Sequence, residues 1–222
     1  MSSAYEVRSA EGTPGARAND VRVSAKRTVT VAVAGNPNSG KSTLINALAG
    51  SRLHVGNWPG VTVEKKEAVF SFDGKEVKLV DLPGTYSLSP YTQEEIIARD
   101  YLVHERPDVI INVVDATNLE RNLYLTVQLM ELGIPMVMAL NIYDEAEQKG
   151  YRIDVQAMEQ MLGVTIIPTV ATKKTGLQDL LDAALERAAD TARRPKDLRY
   201  GEDIEAAASA VEKAVINGHQ GL

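Results

Sequence analysis

The octapeptide GNPNSGKS, residues 35–42, constrains the fold of this 222-residue chain more than any other feature of its sequence. It follows the apolar stretch TVTVAVA and leads into STLINALA, which predicts a strand, a phosphate-binding loop and a helix in that order. Glycines let successive main-chain N–H groups point into one concavity, and a helix N-terminus favours a bound anion. We therefore expect a cradle for nucleotide phosphates formed by Gly35, Asn36, Pro37, Asn38, Ser39, Gly40, Lys41, Ser42 and Thr43. Within this cradle, Lys41 would reach the outer phosphates and the Ser42 hydroxyl would bind Mg²⁺.

The rest of the chain continues the alternation of strands and helices. VFSFDGKEVKLVDL predicts a hairpin that turns at Asp73 and Gly74, and VIINVVDA, PMVMALN and VTIIPTVA predict further strands. NLYLTVQLMELG, DVQAMEQMLG and GLQDLLDAALERAAD predict helices, the second with Asp154 as its N-cap. The fold class is therefore α/β, with a doubly wound, mainly parallel sheet and a small C-terminal helical appendage.

Composition divides the chain into three parts. Residues 1–27 are polar and lack sustained periodicity, which predicts a flexible N-terminal arm. Residues 28–190 carry the α/β pattern and predict one nucleotide-binding domain. Residues 191–222 contain EDIEAAASAVEKAV, a helical stretch too short to form a domain by itself.

Several classes of function are disfavoured by composition. The chain has no cysteine, which excludes disulfides and cysteine-based metal sites and fits a reducing compartment. Its formal net charge of −6 argues against a broad nucleic-acid-binding surface. No apolar run approaches the roughly 18 residues that a membrane helix needs. We expect a soluble protein whose partner is a small molecule or another protein.

The stretch DLPGTY, which begins at Asp81, ends a predicted strand. A carboxylate at this place can hold Mg²⁺ through water, and after Leu82 and Pro83 the amide of Gly84 comes at the spacing that meets a γ-phosphate. Thr85 stands where many nucleotide triphosphatases carry a glutamine that orients the attacking water. Its short hydroxyl lacks the reach and the paired donor and acceptor of an amide, so another group must do this.

The stretch NIYD, Asn141 to Asp144, ends another apolar strand. The Asp144 carboxylate can accept two hydrogen bonds from N1–H and the 2-amino group of guanine, a pair that adenine cannot offer. Ile142 stands where a lysine is usual, which predicts modest nucleotide affinity. In the loop VATKK, Ala171 and Thr172 would contact the edge of the base. The alternatives are an ordinary strand-end turn for NIYD and a plain loop for VATKK.

Three longer stretches between and around these motifs are diagnostic of a protein family. HVGNWPGVTVEKKE (54–67), DLPGTYSLSPYTQEE (81–95) and VVDATNLERNLYLTVQLMELGIP (113–135) closely resemble the N-terminal cytosolic G-domain of the bacterial ferrous iron transport protein B (FeoB) family. The resemblance covers roughly residues 28–190. It implies a Ras-like P-loop GTPase fold, with residues 191–222 corresponding to part of a helical spacer.

The same resemblance implies partners and a location. In that family the GTPase domain and spacer precede a membrane-embedded portion, which this chain does not contain. We accordingly expect the domain to act at the cytoplasmic face of the bacterial inner membrane. Its partners would be GTP and GDP, the membrane portion of the same transporter, a small accessory Feo protein and further copies in a homo-oligomer. Nucleic acid is not an expected partner.

By resemblance, Thr62 is the threonine that closes on Mg²⁺ in the triphosphate state, preceded by Gly60 and Val61 at the nucleotide. The loop 55–67 would then be switch I, and residues 84–93 would be switch II. The alternative for Thr62 is a solvent-facing position on the strand VTVEKKEAVF. Trp58 is expected in a mobile functional loop, although a packing anchor is the other possibility.

The resemblance also implies a K⁺ site. In related GTPases with an asparagine at the place of Asn38, the loop binds K⁺, and switch I carbonyls near residues 56–58 complete the coordination. Such a cation would replace an arginine finger by neutralising charge on the phosphates. The alternative is that Asn38 only hydrogen-bonds within the loop. The residues expected to act in catalysis are Lys41, Thr62, Gly84 and Asn38. The candidates for orienting the attacking water are switch backbone groups, Glu64 and Glu67.

Three functions from different classes remain open at the level of sequence. The first is a slowly hydrolysing, K⁺-stimulated GTPase domain that regulates a ferrous iron transporter. The second is a soluble GTPase of ribosome assembly, which should bring a basic RNA-binding surface that the net charge of −6 disfavours. The third is a nucleotide-dependent switch with negligible turnover.

Overall fold

The computed structural model describes residues 28–190 and 204–217. The strands are β1 (Val29–Gly35), β2 (Leu53–Asn57), β3 (Glu64–Phe72), β4 (Lys75–Asp81), β5 (Val109–Asp115), β6 (Met136–Asn141), β7 (Arg152–Ile153), β8 (Thr165–Pro168) and β9 (Ile216–Asn217). The helices are α1 (Lys41–Ala49), α2 (Gln93–Asp100), α3 (Leu119–Glu131), α4 (Tyr143–Gln148), α5 (Val155–Leu162), α6 (Leu177–Ala189) and α7 (Ile204–Val215). A 3₁₀ turn follows α1 at Gly50–Arg52, and another lies at Ala171–Lys173. A π-helical turn, Tyr101–Glu105, follows α2.

Seven strands form one sheet in the order β2-β3-β4-β1-β5-β6-β8. Strand β1 pairs in parallel with β4 and β5, and β6 pairs in parallel with β5 and β8. The β2–β3 and β3–β4 pairs are antiparallel. The later strands thus lie on both sides of β1, and in such sheets ligands bind beyond the carboxyl end of the strand at this switch point. The predicted α/β fold with a mainly parallel sheet is confirmed.

The core lies in two layers because helices cover both faces of the sheet. Val31 and Val33 of β1 pack on the side of α1 and α6, whereas Ala32 and Ala34 pack on the side of α2, α3 and α5. Burial on both faces explains why β1, β5 and β6 are nearly continuous apolar runs. Because these strands are parallel, their carboxyl ends lie side by side, with Asp115 ending β5 and Asn141 ending β6.

Local predictions hold at the turns and caps. Asp73 and Gly74 form the β3–β4 turn with φ angles of 44° and 72°. Asp154 caps α5 by accepting a hydrogen bond from the Ala157 amide at 2.9 Å. The elements that were missed include strand β2 at the edge of the sheet, helix α4 directly after NIYD and the two-residue strands β7 and β9.

Helix α7 packs against α3 and α5 of the α/β body. It buries Ala208, Val211 and Val215 in the layer that contains these helices. The Asp154 amide donates to the carbonyl of Val215 at 2.8 Å, and β9 pairs with β7. The predicted arm 1–27 and the stretch 191–203 lie outside the described residues, so the domain boundaries stay predictions. Across residues 28–190 and 204–217, no helix has the length and apolar character to cross a bilayer.

Candidate nucleotide-binding site

The phosphate cradle is a loop with left-handed backbone at two positions. Asn38 has φ 68° and Gly40 has φ 81°, directly before the first turn of α1. A Cβ on Gly35 would lie 2.6 Å from the carbonyl oxygen of Val113, so the turn passes too close to β5 for a side chain. The first amides of a helix have no intrahelical partner. The loop and the start of α1 therefore present free main-chain donors at the carboxyl end of β1.

Asn141 connects the cradle to two other segments. Its Nδ2 donates to the carbonyl of Ser39 at 3.0 Å. Its Oδ1 accepts from the Thr169 hydroxyl at 3.2 Å and from the Ala171 amide at 3.1 Å. The side chain is buried, so each of these bonds matters for the arrangement. The structure thus brings the P-loop, the end of β6 and the loop after β8 together, as the order of motifs predicts.

Lys41 and Asp81 are in contact at the ends of α1 and β4. The Lys41 ammonium contacts Asp81 Oδ1 and donates to the carbonyl of Leu82 at 2.7 Å, and both charged residues are buried. Burial raises the pKa of the Asp81 carboxyl above its ordinary value, and the Lys41 charge opposes that rise. The Lys41 ammonium therefore neutralises the Asp81 carboxylate. A bound phosphate could replace this carboxylate as the partner of Lys41.

The residues expected to hold Mg²⁺ fit a hard cation by their chemistry. Ser42 is exposed at the first turn of α1, and Asp81 ends β4 beside Lys41. Hydroxyl and carboxylate oxygens are ligands that Mg²⁺ prefers. The third expected ligand, Thr62, is exposed in the connection between β2 and β3, which also contains the exposed Gly60 and the half-buried Val61. Thr62 would join this set through a rearrangement of that connection.

The predicted switch I loop is shorter in the structure. Strand β2 extends to Asn57 and β3 begins at Glu64, so only residues 58–63 form the loop, because the two strands pair in register. Trp58 is buried, with its ring 5.4 Å from the Tyr101 ring in an edge-to-face contact. The Lys65 ammonium lies 5.2 Å from the centre of the indole ring. In this conformation Trp58 is therefore a packing anchor, the alternative that the sequence left open, and its place in a mobile functional loop stays a prediction.

The predicted switch II begins against the P-loop. A Cβ on Gly84 would lie 3.4 Å from the backbone of Pro37, so the DLPG segment passes close to the cradle. The Thr85 amide donates to the Gly35 carbonyl at 3.3 Å, and Thr85 is buried. Tyr86, the next residue, stacks under the Arg121 guanidinium at 4.1 Å. Thr85 is thus directed into the protein body, which agrees with the inference that it does not orient water.

Asn38 meets the chemical requirement for a cation ligand. It is exposed, and within residues 28–190 and 204–217 its side chain makes no hydrogen bond, in contrast to the alternative of a bond within the loop. Its amide oxygen is a hard donor suited to K⁺. Both glutamates considered for orienting water are already in ion pairs, Glu64 with Lys66 at 2.6 Å and Glu67 with Lys65 at 2.8 Å.

The predicted base-binding end of the site lies in the first turn of α4. Ile142 adopts φ 59°, which is rare and strained for a β-branched residue, and it precedes α4. Asp144 is partly exposed, and the hydrogen bond from Lys173 lowers the pKa of its carboxyl. Ala171 is buried and Thr172 is exposed. Sequence reasoning missed Lys173, whose only signal was its place in VATKK.

Comparison with known proteins identifies the family. The FeoB_N family, described as ferrous iron transport protein B, matches residues 29–184. The chain belongs to this family. The Fe(2+) transporter FeoB of Escherichia coli strain K12 is 53% identical over 156 residues, which cover 68% of this chain and 20% of that protein. The "Fe(2+) transport protein A/Fe(2+) transporter FeoB fusion protein" of Porphyromonas gingivalis is 47% identical over 192 residues, 85% of this chain and 23% of the fusion.

Solved FeoB domains have the same fold. The cytosolic domain of L. pneumophila FeoB is 45% identical with a TM-score of 0.72, over 77% of this chain and 66% of that one. A GDP-bound mutant of the S. thermophilus FeoB G-domain is 50% identical with a TM-score of 0.68, over 70% of this chain and 60% of that one. The chain thus spans less than a quarter of the full-length relatives but most of the FeoB domain that has been solved separately.

Proposed function

We propose that this chain is the GTP-binding and slowly GTP-hydrolysing regulatory domain of a ferrous iron transporter. The observation that carries the proposal is the set of hydrogen bonds made by the Asn141 side chain. These bonds hold the phosphate cradle and the segment that bears Asp144 at fixed relative positions. A guanosine nucleotide requires both at once, one for its phosphates and one for its base. The GDP-bound S. thermophilus FeoB G-domain supports the same assignment.

The residues of the chain would share the work of phosphoryl transfer. The P-loop amides and Lys41 would orient the β- and γ-phosphates, with the Lys41 ammonium moving from Asp81 to the phosphate. Ser42, Thr62 and, through water, Asp81 would hold Mg²⁺, which when bound neutralises phosphate charge. The Gly84 amide would donate a hydrogen bond to the γ-phosphate. After hydrolysis Thr62 and Gly84 would lose these contacts, so both switches would relax.

The proposal places Asn38 at a K⁺ ion beside the phosphates. We expect single-turnover GTP hydrolysis to be about tenfold or more faster in K⁺ than in Na⁺, because fixed charge at the phosphates is a large contribution to catalysis. Asn38→Ala should abolish the difference between the two salts. Asn46→Ala, an exposed asparagine on α1, should preserve it.

Two outcomes would count against the K⁺ proposal. Equal rates in K⁺ and Na⁺ would show that K⁺ has no specific role in hydrolysis. An unaltered K⁺ response in Asn38→Ala would show that Asn38 is not a ligand of the ion. Absence of turnover with excess protein would instead favour a nucleotide-dependent switch without hydrolysis. Lack of any magnesium-dependent binding heat with GDP or GTP would overturn the whole assignment.

The single tryptophan offers a direct report on switch I. For Thr62 to reach Mg²⁺, the loop 58–63 must move, and Trp58 would leave its packing against Tyr101. We expect Mg²⁺ with a non-hydrolysable GTP analogue to shift the Trp58 emission to longer wavelength and to increase acrylamide quenching, whereas GDP should not. Thr62→Ala should suppress the shift. Unchanged emission with the triphosphate analogue would contradict this movement.

The proposal includes the expected partners. As a FeoB domain, the chain would act at the cytoplasmic face of the inner membrane and transmit nucleotide state to the membrane portion of its transporter. Helix α7 is the described part of the helical spacer in this proposal, and its packing on α3 and α5 gives the spacer a firm attachment. The P. gingivalis fusion supports an accessory Feo protein as a partner. A homo-oligomer belongs to the proposal as well.

A further inference from the structure

The carboxylate of Asp144 is contacted on both of its oxygens. The amide of Glu145 donates to Oδ1 at 3.1 Å, and the ammonium of Lys173 donates to Oδ2 at 2.7 Å. An ionised carboxylate has about two acceptor sites on each oxygen. One site on each oxygen therefore stays available, and two such sites match the paired N1–H and 2-amino donors of guanine.

We propose that Lys173 is a positioning residue for guanine recognition. Together with the Glu145 amide, it holds the Asp144 carboxylate in one rotamer, so that both free acceptor sites face the base. This inference rests on the proposed function, because it assumes that Asp144 binds guanine. It assigns a part in base selection to a lysine outside the NIYD motif.

The backbone that carries Lys173 is firmly held. Val170 and Thr175 exchange two main-chain hydrogen bonds of 3.2 Å each, which closes the turn at both ends. Within the turn, the Ala171 amide is bound to Asn141 Oδ1. A lysine on a mobile loop would lose much conformational entropy when it orients a carboxylate. The backbone of Lys173 is already ordered by the fold, so only the side chain loses conformational entropy.

Neighbouring residues explain why a lysine is needed from this loop. The position in NIYD that usually carries a lysine is Ile142, which has no polar group. Val170, at the start of the turn, likewise has none. Asp144 lies in the first turn of α4, where a carboxylate is favoured and where the Glu145 amide of the helix holds only one of its two oxygens. The Lys173 ammonium supplies the missing constraint.

The test compares two adjacent lysines of the same turn. Lys173→Ala should weaken GDP binding by about two- to fivefold in calorimetry at low salt, the range expected for an exposed ion pair. The loss should shrink at high salt, since the Lys173 side chain is 62% exposed. Lys174→Ala should leave the affinity unchanged, and Lys173→Arg should restore it to within about twofold because the guanidinium keeps a charged donor.

Inosine diphosphate separates orientation of Asp144 from general attraction of phosphates. It lacks the 2-amino group and can make only one of the two bonds to the carboxylate. If Lys173 orients Asp144, Lys173→Ala lowers the ratio of GDP to IDP affinity. An equal loss for both nucleotides, or an equal loss in Lys174→Ala, would overturn the proposal in favour of general electrostatics.

Three other results would also overturn it. Tighter GDP binding in Lys173→Ala would show that the lysine competes with the base for Asp144. Unchanged GDP binding in that variant, with normal binding by the parent chain, would remove only the role of Lys173. Failure of the parent chain to bind GDP would remove the proposed function itself, and the inference would fall with it.

Discussion

Asp144→Asn should lower the affinity for GDP by about 100-fold or more. The change replaces an acceptor by an amide donor that faces the 2-amino group of guanine, so one hydrogen bond is lost and two donors meet. Hydrogen bonds to charged groups contribute about 1.5–3 kcal/mol each, so losing the charge and one bond accounts for a decrease of this size. Calorimetry with GDP measures the loss directly.

The same variant should gain affinity for xanthosine diphosphate. Xanthine carries a carbonyl at C2, which can accept from the new amide while its N1–H still donates to the amide oxygen. Folding should change little, because the side chain of Asp144 is on the surface and its ion pair with Lys173 is exposed. Asp182→Asn, at an exposed position on α6, is the matched control and should bind GDP normally. A GDP affinity within about threefold of the parent chain would remove Asp144 from base recognition.

Gly40→Ala should destabilise the folded protein by about 3 kcal/mol or more. Left-handed backbone costs a residue with a side chain roughly 1–2 kcal/mol, and Gly40 has φ 81°. In addition, the new Cβ would lie 2.2 Å from Asn141 Nδ2. Asn141 is buried and holds three hydrogen bonds, so its displacement leaves several polar groups without partners. Urea unfolding measures the change in the free energy of unfolding.

Gly150 provides a closely matched control for the backbone contribution. Its φ is 82°, and a Cβ there would meet no atom within 4 Å. Gly150→Ala should therefore show only the backbone cost of about 1–2 kcal/mol. The difference between the two variants isolates the clash with Asn141. Equal destabilisation by both would mean that Asn141 can move aside at little cost and does not hold the site together.

Much of the fold could be predicted because its signals are local. The alternation of apolar runs marked β1, β5 and β6, and the capping aspartate marked the start of α5. Strand β2 was missed because its residues are mostly exposed and its identity comes from antiparallel pairing with β3. Helix α4 was missed because it is short and polar and begins after a strained left-handed residue, which no propensity favours.

The candidate site was predictable in its parts but not in its connections. The P-loop, Asp81 and Asp144 were found from motifs that end predicted strands. Trp58 was expected in a mobile functional loop, with a packing anchor as the alternative, since nothing in NWPG indicates that its ring packs on Tyr101, a residue far along the chain. Lys173 was passed over, since a lysine in a polar loop usually faces solvent.

The amino-acid sequence by itself determined the strand–loop–helix of the phosphate cradle, the parallel sheet behind it and the residue types that can contact phosphate and base. These features depend on backbone preferences and periodicity within a few neighbouring residues. Only the tertiary structure decided that Asn141 bonds to Ser39, that Lys41 neutralises Asp81 and that Lys173 reaches Asp144. Such contacts join residues 102, 40 and 29 positions apart, and their geometry follows from how the elements pack, which no local pattern specifies.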